Sequence, residues 1–136
     1  MRKLVIFIFL TCSYQTNAQK LKCSDLRKGT FTIKAPNSDL FITVERDSLS
    51  QVERVITDNE ILEAYETITW LNECSYRIRY DESKMELDDT QKLINALNGI
   101  VVRHISFTHK CSRYQAILRR PDRKELIETA EFCKTN

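Results

Sequence analysis

Between Gly29 and Tyr80 the chain alternates apolar and polar residues with a period of two. Phe31 and Ile33 share one face of GTFTIK; Leu40, Ile42 and Val44 share one face of LFITVER. In CSYRIRY, Cys74, Tyr76, Ile78 and Tyr80 fall on one side and Ser75, Arg77 and Arg79 on the other. That is the signature of half-buried antiparallel strands. Turn residues at Pro36-Asn37-Ser38-Asp39, Asp47-Ser48, Asp58-Asn59 and Asn72-Glu73 separate the runs. The stretch Ile61 to Tyr80 reads as the central hairpin. The run Gln51 to Thr57 carries Glu53 and Arg54 and is expected near a sheet edge.

The period changes after Asp81. Asp88 to Asn98 places Leu93, Ile94 and Leu97 at helical spacing, with Asp88 or Asp89 as cap and Gly99 at the C-terminal position. Ile100 to His109 returns to strand, with a change of parity near Arg103-His104 that predicts a bulge. Residues 123–133 admit two readings. Asp122 to Glu125 resembles a capping box before a helical face of Leu126, Ile127, Ala130 and Cys133. The favoured alternative is a hairpin centred on Asp122. Its register sets Arg119 against Glu125, Leu118 against Leu126, Ile117 against Ile127, Arg113 against Glu131 and Cys111 against Cys133. The expected fold is all-β and mainly antiparallel: a small barrel or flattened sandwich of seven to eight strands, with one short helix near 88–98. Its expected core is Phe31, Ile33, Ile42, Val44, Ile68, Trp70, Tyr76, Ile78, Ile105, Phe107 and Leu118.

The first 18 residues change the picture. Met1-Arg2-Lys3 is basic, Leu4 to Leu10 is apolar, and the segment ending at Ala18 is polar with small residues. This is the layout of a secretory signal peptide, leaving residues 19–136 as a single β domain. The alternative is a lipoprotein anchored at Cys12, the one route by which the sequence implies a membrane. Removing residues 1–18 takes away Arg2 and Lys3 and no acidic residue, so 19 basic face 19 acidic side chains. A neutral domain lacks the basic surplus of a nucleic-acid-binding protein. Four cysteines remain, Cys23, Cys74, Cys111 and Cys133. An even count in an exported chain implies two disulfides. The Asp122 register pairs Cys111 with Cys133, and elimination leaves Cys23 with Cys74.

From Lys22 to Tyr80 the chain resembles a family of short exported bacterial proteins of unknown function, some of whose members carry a mistaken DNA topoisomerase IV label. The resemblance rests on Cys23 with Gly29-Thr30-Phe31, on Arg46-Asp47-Ser48 with Gln51 and Glu53, and on ITWLNECSYRIRY. It implies export and a β fold, and no activity. Gly29-Thr30-Phe31 is also similar to the Gly-x-Trp opening of lipocalins.

No catalytic constellation stands out. The two glycines exclude Gly-rich phosphate loops. His104 and His109 are spaced to opposite faces of a strand, and Cys111 beside His109 reads as half of a disulfide. No metal, cofactor or enzymatic activity is therefore expected. Arg46, Asp47, Gln51 and Glu53 form the densest polar motif; it reads as a hydrogen-bonded strand end and turn, with a pocket mouth as the sharper alternative. Arg119, Arg120, Arg123 and Lys124 read as a solvated turn. Tyr65, Trp70, Tyr76 and Tyr80 are candidate ligand-facing aromatics, with core packing as their ordinary role. The expected function is a non-catalytic envelope protein, binding or structural, with an unknown partner. The alternative is a lipocalin-like carrier of a small apolar ligand.

Overall fold

Among the described residues, eight strands run in sequence order around a closed antiparallel barrel, and the last pairs with the first. The computed structural model describes residues 19–35 and 37–135; the segment 1–18, expected to be a signal peptide, and Cys12 within it lie outside them. The strands are β1 (Gly29–Lys34), β2 (Phe41–Arg46), β3 (Ser50–Ile56), β4 (Ile61–Trp70), β5 (Ser75–Tyr80), β6 (Ile100–Phe107), β7 (Cys111–Arg119) and β8 (Glu125–Lys134). Closure removes every sheet edge. It therefore corrects the expectation for β3, which is an interior strand paired with β2 and β4. Glu53 does not mark an edge; it points into the barrel and Arg54 points out. Arg54 ties Glu45 to Glu63 across the outer wall at 2.8 and 3.1 Å. Such exposed pairs contribute about 0–1 kcal/mol each.

Cross-strand register fixes what faces inward. Phe31 opposes Val44, Val44 opposes Glu53, Gln51 opposes Glu66, and Glu66 opposes Tyr80. Because side chains alternate along each strand, all of these share the inner face. The β7–β8 hairpin forms in the Asp122-centred register, from Arg119 opposite Glu125 to Cys111 opposite Cys133. The helical reading of 123–133 is thus excluded.

The bulge in β6 falls between His104 and Ser106, with Ile105 as the extra residue. It resets the parity, so that His104 is buried and Phe107 packs against the core cluster. Ile105, expected in the core, is turned outward and is 47% exposed. The other expected core residues are buried or half-buried.

One end of the barrel is closed by a short 3-10 helix, Cys23–Leu26, which the alternation could not announce. Lys22 N–H donates to Asp25 Oδ2 at 2.8 Å, and Leu21 N–H donates to the Thr108 carbonyl at 3.0 Å. Leu26 is fully buried beneath Phe31 and Phe132, whose rings stack at 4.4 Å. Trp70 seals the same end: its Nε1–H donates to the Ser48 carbonyl at 2.7 Å, and the Arg27 guanidinium lies 4.2 Å over its ring.

The opposite end carries the helix α1 (Asp89–Ala96), capped by Asp88 as expected. It stands where β5 runs past the start of β6. Asn95 takes the place of a strand partner there: Tyr80 N–H donates to Asn95 Oδ1, and Asn95 Nδ2 donates to the Tyr80 carbonyl, both at 2.9 Å. Backbone groups that would otherwise be orphaned are satisfied. Gly99 follows with φ +78°, and a Cβ there would sit 2.2 Å from the Ile78 carbonyl oxygen. Only glycine fits this approach of the returning chain to β5.

Both expected disulfides form. Cys111 and Cys133 are directly opposed, with Cα atoms 4.0 Å apart, and Cys23 and Cys74 lie 5.0 Å apart. The second ties the end-closing 3-10 helix to the β4–β5 turn across 51 residues of sequence. A loop of that length is worth on the order of 4 kcal/mol in the chain-entropy account. Replacing both Cys23 and Cys74 with serine should lower the free energy of unfolding by about that amount, measured by urea titration. A change under about 1 kcal/mol would show that the 3-10 helix seals the barrel without its staple.

Candidate functional site

The barrel interior divides into a packed half and a polar half. Leu21, Leu26, Phe31, Val44 and Phe132 fill the half next to the 3-10 helix, and Ile33 carries the same cluster on to the chamber wall. Above them, β2, β3 and β4 each turn a long polar side chain inward: Arg46, Gln51 with Glu53, and Glu66. Arg46 is only 4% exposed, Gln51 3% and Glu66 4%.

Arg46 is saturated. Its Nε–H and Nη2–H donate to Gln51 Oε1 at 2.9 and 2.6 Å, Nη1–H donates to the Leu26 carbonyl at 2.9 Å, and Nη2–H also donates to Tyr76 Oη at 2.7 Å. The guanidinium lies 4.4 Å from the Tyr76 ring centre and 4.7 Å from that of Phe132. This is an aromatic cradle for a cation. Gln51 then turns its amide the other way. Its Nε2–H groups donate to Glu53 Oε1 at 3.0 Å and Glu66 Oε2 at 2.5 Å. A buried cation and two carboxyls are thus linked through one amide rather than by a direct ion pair.

Glu53 and Glu66 both accept from the Gln51 amide, which holds the two carboxyls side by side. Burial raises both above the ordinary carboxylate value, and the neighbouring Glu53 charge pushes Glu66 further. Two carboxyls this close cannot both ionise easily. One shared proton leaves the pair with a single negative charge, which balances Arg46.

A cavity of about 210 Å³ lies against this pair. Its walls are apolar (Ile33, Ile42, Ile78, Ile100, Val102, Ala116), and Tyr80, Tyr114 and Glu128 add polar groups. Burial raises the Tyr80 and Tyr114 hydroxyls above their ordinary value, and no hydrogen bond contributes to either shift. Both are therefore neutral hydroxyls facing the chamber. Larger clefts of about 380 and 470 Å³ lie on the outer wall, at Glu45–Tyr65–Lys84 and at Arg77–Arg119. The first also reaches Arg46, Gln51 and Glu66, but only the 210 Å³ chamber brings Glu53, Tyr76, Tyr80 and Tyr114 together with them.

Of the four candidate aromatics, Tyr76 and Tyr80 line the chamber. Tyr65 and Trp70 do not. Tyr65 is an outward residue opposite Val52, and its hydroxyl donates to Glu63 at 2.7 Å. Trp70 points inward but belongs to the sealed end. The motif is the hydrogen-bonded strand end and turn that the sequence suggested, with Arg46 closing β2, Gln51 opposite it on β3 and Asp47 accepting from Leu49 N–H at 3.2 Å; what the reading did not give is that Arg46, Gln51 and Glu53 turn inward. Glu66 escaped sequence reading. Its signal was an acidic residue at an inward position of ILEAYETITW, in phase with Ile68 and Trp70. Cys111, Cys133 and Glu131 lie together, but both sulfurs are spent in the disulfide.

His104 sits beside this network among Tyr76, Phe107, Tyr114 and Phe132. Its Nδ1 lies 2.6 Å from Ser112 Oγ, and Nε2 has no partner among the described residues. Burial, then repulsion by Arg46, pushes its pKa down to about 3. The unfolded chain takes up that proton near pH 6.5, so the contribution of His104 is present at neutral pH and lost as pH falls toward 3. The carboxyl pair acts oppositely: its contribution is present below about pH 4.5 and lost as pH rises through its raised values. From pH 7 to 5 the two slopes oppose. His104→Phe should remove the first and leave the variant about 2 kcal/mol better off than the native protein over that interval. Urea midpoints at both pH values provide the check. Parallel changes in variant and native protein would contradict a neutral buried His104.

No protein family, curated protein or solved structure matches the chain.

Proposed function

We propose that this protein is an exported, non-catalytic binding barrel that holds a small ligand in its interior chamber. The observation that supports this most is the chamber itself. An eight-stranded barrel is just wide enough either to fill with side chains or to hold one small ligand. Here the half next to the 3-10 helix is filled, and the other half leaves about 210 Å³ beside buried carboxyls and hydroxyls. The chamber is below the roughly 300–1,000 Å³ of drug-sized sites, so the ligand is small. Its polar side also differs from that of a purely apolar carrier. Two disulfides suit an oxidising compartment, periplasmic or extracellular. Export through the signal segment 1–18, in keeping with the resemblance to short exported bacterial proteins, is part of the same proposal.

A second reading rests on the outer wall. Phe41, Ile56 and Ile61 are opposed across β2, β3 and β4 in one row, and they are 57%, 66% and 61% exposed. A contiguous apolar row of this kind favours docking of another protein chain near the α1 end.

Native mass spectrometry of the protein purified from its host separates the two. The ligand reading expects a small-molecule adduct that is lost on unfolding and is absent from Ala116→Phe, which fills the chamber. A bare mass in the native protein, or an adduct that survives Ala116→Phe, would count against an interior ligand.

A further inference from the structure

We propose that the chamber binds a small organic monocation, a protonated amine on a short apolar body, with its charged end against Glu53 and Glu66. This rests on the reading of the barrel interior as a binding chamber.

The first ground is unused hydrogen-bonding capacity. Four of the five N–H groups of Arg46 are already donating, so the cation of the chamber has a single Nη1–H left for a ligand anion. The carboxyls are different. Each ionised carboxylate offers about four lone-pair sites. Each receives one donor from Gln51, and burial beside each other favours one proton on the pair. The open groups are thus mainly acceptors, joined by the hydroxyls of Tyr80 and Tyr114.

The second ground is charge. Around the chamber stand Arg46 from β2, Tyr76 and Tyr80 from β5, Tyr114 from β7 and the exposed Glu128 from β8, with His104 of β6 beside Tyr76 and Tyr114. His104 is neutral and the tyrosines are neutral. The two interior carboxyls of the pair face one guanidinium, and one proton on the pair meets the difference; Glu128 is solvent-exposed. A ligand ammonium supplies the missing charge itself. On binding, the proton shared by Glu53 and Glu66 leaves to solvent, both carboxylates accept from the ammonium, and the total charge of the chamber is unchanged.

The third ground is shape. Ile33, Ile42, Ile100 and Val102 wall the space around the carboxyls, which suits an alkyl or aryl body. A hard divalent cation would need six to eight oxygen ligands. Here the Gln51 N–H groups occupy the cleft between the two carboxyls, and they repel a metal ion.

The test titrates the disulfide-bonded protein at pH 7 by calorimetry with three probes of one size: benzylammonium, benzyl alcohol and benzoate. Benzylammonium should bind at least ten-fold more tightly than benzyl alcohol, and benzoate more weakly than both. Repeating the benzylammonium titration in buffers of different ionisation enthalpy should show release of up to one proton per ligand, read on the native protein alone. Glu66→Gln should bring benzylammonium down to the affinity of benzyl alcohol and leave the latter's binding intact. Equal affinity for amine and alcohol, tighter binding of benzoate, or amine binding without proton release would overturn the inference while leaving an interior ligand. Failure of all three probes to bind would overturn the chamber reading as well.

Discussion

The burial of the Arg46 guanidinium is the constraint on which the rest of this structure depends. A cation inside a small barrel is tolerable only if its donors are met and its charge is balanced. Leu26 meets one donor, and that bond ties the end-closing 3-10 helix to the middle of the barrel. Tyr76 meets another, from the far wall. Gln51 takes two and passes the polarity on to Glu53 and Glu66. Strands β2 to β5 are in this way joined through the interior as well as through their ladders. Removing one partner would leave a buried charge uncompensated, the costly case for such networks.

The same constraint explains why the interior is uneven. Around the guanidinium, Phe31, Tyr76 and Phe132 provide ring faces, and the packing there is dense. Beyond Gln51 the carboxyls need space, acceptors and a proton, and the side chains opposite them on β6 and β7 are short or aliphatic: Val102 and Ala116. The chamber lies where those small residues face the acidic pair. His104 stays neutral on the near side because a second positive charge beside Arg46 would be repelled as well as desolvated.

Much of the fold was legible in the chain. The alternation in Phe31–Ile33, Ile42–Val44 and Tyr76–Tyr80 assigned faces correctly, because side-chain direction in a strand depends only on parity. The Asp122 register paired Cys111 with Cys133, because two charge pairs and two aliphatic pairs agreed on one alignment. The misreadings share a cause. Glu53 looked like an edge residue, and Arg46 and Gln51, read rightly as a strand end beside a turn, gave no sign of facing inward, because polarity along one strand cannot show what stands opposite when a sheet closes. Ile105 was misplaced because a bulge of one residue reverses the parity beyond it, and its position was known only to within a residue or two. Glu66 and Asn95 act through partners 15 residues away in each case, a separation that no local pattern reports.

The central claim is that the interior of this barrel holds Arg46 against a carboxyl pair that shares one proton. Carbon-detected NMR titration of the glutamate side-chain carboxyls tests it most directly. Glu53 and Glu66 should titrate together, with at least one step raised well above about 4.5, while exposed Glu63, held by Tyr65 and Arg54, titrates below it. Two independent titrations of Glu53 and Glu66 near the ordinary glutamate value would contradict the account.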